Sequence, residues 1–108
     1  IGFQKASALM LSGDKVSANQ AEQMGMIFKV FTEENFQDEV NKLATTLAQM
    51  PTKALGLTKR LLNQSMNNEL GQQLAMESDL QIEASSSNDY NEGVTAFVEK
   101  RKPEFKGN

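Results

Sequence analysis

The sequence predicts an all-α domain of five or six helices, and three observations carry that expectation. Apolar residues recur at i, i+3 and i+4 through most of the chain. Helix start and stop residues punctuate it at short intervals, with Gly13, Gly25, Pro51 and Pro103 at the breaks. Only residues 26–31 read as a short strand, being apolar and branched around Lys29.

Taken in order, Ile1 to Leu11 form the first helix, with Phe3, Ala6 and Met10 on one side and Gly13 suited to its stop. No capping residue precedes it, and the chain opens on Ile1 rather than Met; both features fit a piece of a longer protein. Ser17 and Gln20 have capping-box spacing, opening a short helix that ends near Met24 with Gly25 beyond it. Thr32 can cap the next helix, whose first turn would carry Glu33 and Glu34. Phe36, Val40, Leu43, Leu47 and Met50 continue its apolar face until Pro51.

Pro51 also suits entry into a helix from Thr52 to about Met66, which Gly56 weakens by about 1 kcal/mol relative to Ala unless close packing compensates. After a turn at Asn67-Asn68, Leu70, Leu74, Glu77 and Gln81 line a fifth helix with a narrow apolar stripe. Residues 85–88 form the next break, and Asp89 and Glu92 have capping-box spacing for a last helix. Val94, Phe97 and Val98 give that helix its apolar face. Lys100, Arg101 and Lys102 fall in its last turn, Pro103 stops it, and Phe105 is the anchor of the tail.

Composition narrows the chemistry. The 108 residues include no Cys and no His, which removes thiol nucleophiles, disulfides, thiolate zinc sites and histidine acid–base catalysis. The net charge of −3 argues against a nucleic-acid partner. From Lys100 onward four cations face one anion, Glu104, so the tail is a basic spot on an acidic body. No apolar run is long enough to cross a bilayer, and the lack of Cys fits a reducing compartment, so a cytoplasmic, non-membrane protein is expected.

Several candidate groups have plain structural explanations. Ser85, Ser86 and Ser87 lack the glycine-flanked context of a catalytic serine and read as loop or cap residues. Glu33 and Glu34 are adjacent and do not face each other on a helix. Glu77 is the one acid on an apolar face and reads as a boundary residue or a perturbed carboxylate. Gly13 and Gly25 are helix stops rather than a phosphate loop, Tyr90 is a surface or interface aromatic, and the basic tail alone reads as solvated cations.

Three segments in order carry a family resemblance. Glu92-Gly93-Val94-Thr95-Ala96-Phe97-Val98-Glu99-Lys100-Arg101-Lys102-Pro103-Glu104-Phe105 is similar to the C-terminal signature of the enoyl-CoA hydratase/isomerase (crotonase) family. Leu11-Ser12-Gly13 through Ala21, followed by Gly25-Met26-Ile27, and Pro51 through Asn63 resemble two further family segments.

The resemblance implies that residues 1–31 are the end of the crotonase core and residues 32–108 its C-terminal helical, trimerisation domain. It implies an acyl-CoA thioester as substrate, no separate cofactor or metal, and a homo-oligomer built through the C-terminal helices. It also implies that Phe97 and Lys100 approach the CoA held by a neighbouring subunit. No catalytic residue is carried over, because the family's oxyanion loops and catalytic acid precede this region, and the 108-residue chain alone is expected to be inactive. Gly25-Met26-Ile27 and Leu55-Gly56-Leu57 are similar to the isomerase branch of phenylacetate degradation. The hydratases of fatty-acid oxidation, or a non-catalytic helical assembly module, are the other readings.

Overall fold

A computed structural model describes residues 1–108, in two compact units, 1–40 and 41–108. Helices are its only regular secondary structure, and there are six of them.

The first unit holds α1 (Phe3–Ser12) and α2 (Ala18–Gln23). Gly13 closes α1 in the left-handed region, at φ 67°, and its N–H donates to the Leu9 carbonyl. That conformation is open to glycine at no steric cost. The capping box of α2 forms as its spacing predicts: the Ser17 hydroxyl accepts from the Gln20 N–H at 3.3 Å, and the Gln20 side chain accepts from the Ser17 N–H at 3.0 Å. Gly25, at φ 75°, turns the chain out of α2.

The expected strand at residues 26–31 does not form. A strand needs a neighbour to take its backbone groups, and this chain sets no extended segment beside it. The Met26 and Ile27 N–H groups donate to the Ala21 carbonyl instead, and the Val30 N–H donates to the Glu22 carboxylate at 3.0 Å. Phe31 stands edge-on to Phe36 with centroids 6.5 Å apart, and the Lys29 ammonium lies 5.0 Å from the Phe31 ring centre.

α3 (Phe36–Ala48) starts three residues later than a cap at Thr32 would have it. The Thr32 carbonyl, not its side chain, takes a bond from the Asn35 N–H in a turn, and the Asn35 carbonyl accepts the Glu39 N–H. The anions that complement the helix dipole are therefore Asp38 and Glu39 rather than Glu33 and Glu34.

In the second unit, Pro51 stands at the N-cap of α4 (Thr52–Ser65), and α5 (Leu70–Ser85) packs along it. Gln73 ties the pair: its side-chain N–H donates to the Leu61 carbonyl at 3.3 Å while its oxygen accepts from Asn68 at 2.9 Å. α5 opens with a capping box between Glu69 and Gln72 that its sequence did not announce, because Glu is a rare N-cap. α6 (Asn88–Glu99) packs on α5. The core of this unit is thin, with Leu80 and Ala96 its buried apolar side chains.

Candidate functional site

The site is the end of α6 and the tail that folds back on it. The helix begins at Ser87, whose hydroxyl accepts from the Tyr90 N–H at 3.1 Å and donates to the Ala84 carbonyl at 2.7 Å. Asp89 is thus displaced from the capping role that its spacing with Glu92 predicts. It lies in the first turn of the helix, only 3% exposed. Its two carboxylate oxygens accept the Lys106 and Gly107 N–H groups at 2.7 and 2.8 Å, and its own N–H donates to the Asn108 carbonyl at 3.1 Å. A buried carboxylate is costly unless hydrogen-bonded, and these bonds, with the helix dipole, offset the cost.

One turn on, Glu92 grips the other half of the tail. The Arg101 guanidinium donates to both of its oxygens, at 2.6 and 2.9 Å, and the Glu104 N–H donates to one of them at 2.8 Å. Arg101 also donates from Nε to Glu99 at 2.6 Å. The guanidinium first, and the Glu104 N–H second, hold the Glu92 carboxyl down to about 2 from an ordinary 4.5. Glu92 and Glu99 in turn raise the Arg101 pKa.

Lys100 makes the reversal between helix and tail. It lies in the left-handed region, φ 55° and ψ 37°, and is the one non-glycine residue with positive φ. Its N–H donates to the Phe97 carbonyl at 3.3 Å, and the Arg101 N–H donates to the Ala96 carbonyl at 3.0 Å. These are the two bonds of a Schellman stop. The expected last-turn cations are therefore not in the helix: α6 ends at Glu99, Lys100 is its left-handed cap and Arg101 is spent on the ion pairs.

The tail is fitted closely where it returns. The Phe105 ring lies against Gly93, where an added Cβ would meet it at 3.6 Å. Phe105 is thus the anchor its position after Pro103 predicts. Gly107 has φ 80°, and a Cβ there would strike the Thr52 hydroxyl, so glycine is required for both reasons.

This hook leaves Phe97 86% exposed and the Lys100 side chain exposed, one turn apart at the end of α6. Phe97 edges an open apolar groove of about 480 Å3, lined also by Leu61, Leu80, Tyr90, Val94 and Phe105. The end of α6 thus offers an exposed aromatic face and an exposed ammonium one turn apart, a pair suited to a ligand with a flat ring and an anionic group. Its side chains include no nucleophile with an activating base.

The remaining candidates resolve as structural. Glu77 is exposed on α5, which removes the buried-carboxylate reading. The Ser85 and Ser86 hydroxyls donate to the Ile82 carbonyl. No cluster of acidic side chains is placed to hold a metal ion, and no helix is long and apolar enough to cross a membrane. The residues that sequence reasoning missed are Asp89 and Glu92 as holders of the tail. The one signal was an acid and an arginine nine residues apart, both ahead of the proline stop, with no helical spacing to pair them.

Comparison with known proteins follows the same lines. The profile described as enoyl-CoA hydratase/isomerase matches residues 1–108. The 1,2-epoxyphenylacetyl-CoA isomerase of Escherichia coli K12 is 44% identical over 106 residues, covering 98% of this chain and 40% of that protein. The 2,3-dehydroadipyl-CoA hydratase of the same organism is 36% identical over 107 residues, covering 99% of this chain and 42% of that protein. A solved enoyl-CoA hydratase subunit from Geobacillus kaustophilus superposes with a TM-score of 0.94 at 34% identity, over 100% of this chain and 42% of the other. The chain spans about two-fifths of the length of the curated relatives it matches. Matched along its whole length in sequence and in fold, the chain belongs to the enoyl-CoA hydratase/isomerase family.

Proposed function

We propose that this chain is the C-terminal part of a cytoplasmic acyl-CoA isomerase that acts on 1,2-epoxyphenylacetyl-CoA. The observation that carries the choice is its greater identity to the isomerase, 44% over 106 residues, than to the hydratase, 36% over 107 residues. In this reading residues 1–31 end the catalytic core and residues 32–108 form a helical domain that joins subunits. Phe97 and Lys100 then form the rim that meets the CoA of a neighbouring subunit: the ring lies beside the adenine or acyl chain, and the ammonium lies near a phosphate. Their exposure at the end of a tightly held helix supports this role.

The chemistry is proton transfer next to a thioester, with the enolate oxygen stabilised by backbone N–H groups. Those groups and the catalytic acid belong to the part of the relatives that this chain does not span. Hydration of a straight-chain enoyl-CoA is the second reading, supported by the hydratase relatives.

Turnover by the full-length protein decides between them. The expected result is isomerisation of 1,2-epoxyphenylacetyl-CoA in clear preference to hydration of a straight-chain enoyl-CoA, with no turnover by the 108-residue chain alone. The reverse preference establishes the hydratase reading. A full-length protein inactive on both leaves a helical assembly module as its role.

A further inference from the structure

The hook places conformational strain on a residue whose side chain contributes nothing to the hook. Glycine is the usual residue at a left-handed helix stop, because a Cβ there crowds the backbone. This stop has Lys100, the one non-glycine residue with positive φ. The hook uses only the backbone of Lys100 and leaves its side chain exposed. Local strain persists where the surroundings over-determine it, and such residues cluster at ligand sites.

The surroundings here are specific. On the helix side the Lys100 and Arg101 N–H groups are tied to the Phe97 and Ala96 carbonyls. On the tail side Arg101 is held by Glu92 and Glu99, and Glu104 by Glu92. With both flanks fixed, Lys100 has little freedom left to leave the left-handed region.

We infer that Glu92 and Arg101 are positioning residues for coenzyme A: their two-point ion pair holds Lys100 in the left-handed turn that aims its ammonium at a CoA phosphate. This assignment rests on the proposed role of Lys100 at the CoA rim. The ion pair acts through the backbone of the turn between its partners.

The test uses the full-length protein and binding of two probes, free coenzyme A and pantetheine, the latter carrying no nucleotide phosphate. Lys100→Gly keeps the turn and removes the ammonium; it is expected to raise the Kd for coenzyme A about tenfold, the effect of losing one charged hydrogen bond. Glu92→Gln and Arg101→Gln keep the ammonium and loosen the turn, and each is expected to raise that Kd roughly threefold. In the Lys100→Gly background neither raises it further, and pantetheine binds all variants alike.

Equal losses with and without Lys100, or equal losses for pantetheine, overturn the assignment, because the ion pair then acts only through general stability. If Lys100→Gly binds coenzyme A normally, the CoA role of Lys100 fails and the assignment fails with it. If Lys100→Gly weakens binding while Glu92→Gln and Arg101→Gln do not, the CoA role stands and the assignment alone is overturned. The two ion-pair variants approach the same contact from opposite ends, so one that does not fold leaves the other to decide.

Discussion

Glu92 uses one carboxylate for two tasks, binding the Arg101 guanidinium at two points and capping the Glu104 N–H. Both favour the charged form, so its folded-state pKa lies near 2, below the ordinary 4.5. The sign follows from linkage. A carboxyl that binds protons less readily folded than unfolded contributes stability that is fully present above about 4.5. That contribution is lost as the pH falls towards 2. In an NMR titration the Glu104 N–H is expected to report a midpoint near 2 in the native protein. In Arg101→Gln the midpoint should move back up towards 4.5. A midpoint already at 4.5 in the native protein would mean that the hook is not formed in solution. Residue-level reading succeeded for Ser17 and Gln20, whose bonds are local and set by spacing alone. It failed for Asp89, which has the same kind of spacing but is claimed by the amides of Lys106 and Gly107, seventeen and eighteen residues away. Spacing rules describe competition within one turn of helix, and a returning tail lies outside that competition.

Helices were legible because their bonds are internal to the segment, whereas a strand's are not. That is why α4 runs over the span expected of it while residues 26–31, with sound strand composition, donate to Ala21 and Glu22. The late start of α3 has a related cause: Phe31 and Phe36 meet edge-on, and the intervening residues turn to allow it. Gly56 offers a test at this scale. It lies inside α4, exposed, and a Cβ added there would meet nothing within 4 Å. Gly56→Ala is therefore expected to stabilise the helix by about 1 kcal/mol, raising Tm by roughly 4–8 °C in a domain of this size. Thermal unfolding followed by circular dichroism measures it. A fall in Tm with helix content intact would show instead that another copy packs its backbone against this glycine.

Across the whole molecule, the accessible surface is 8867 Å2 for a mass of 11.9 kDa. A single compact body of that mass exposes roughly 6,000 Å2, and separate compact bodies of about 40 and 68 residues would together expose roughly 7,100 Å2. Either way the chain shows well over a thousand Å2 in excess, of the order that a stable interface buries. Much of the excess is apolar, with Phe3 87%, Phe28 86% and Phe97 86% exposed. An all-helical fold can be read from periodicity, but the partner of each helix face cannot, and here the faces outnumber the partners within the chain. Self-association is the expected consequence, since apolar patches of several hundred Å2 seldom stay bare in water. Sedimentation at several concentrations should show mass above the monomer in the micromolar range. Phe97→Ala should weaken the assembly more than Lys100→Ala. The aromatic side chain brings the larger buried area, whereas the ammonium is assigned to a phosphate that the isolated chain lacks. A single species at monomer mass up to high micromolar protein would overturn the expectation, and it would require the exposed phenylalanines to be covered from within the same chain.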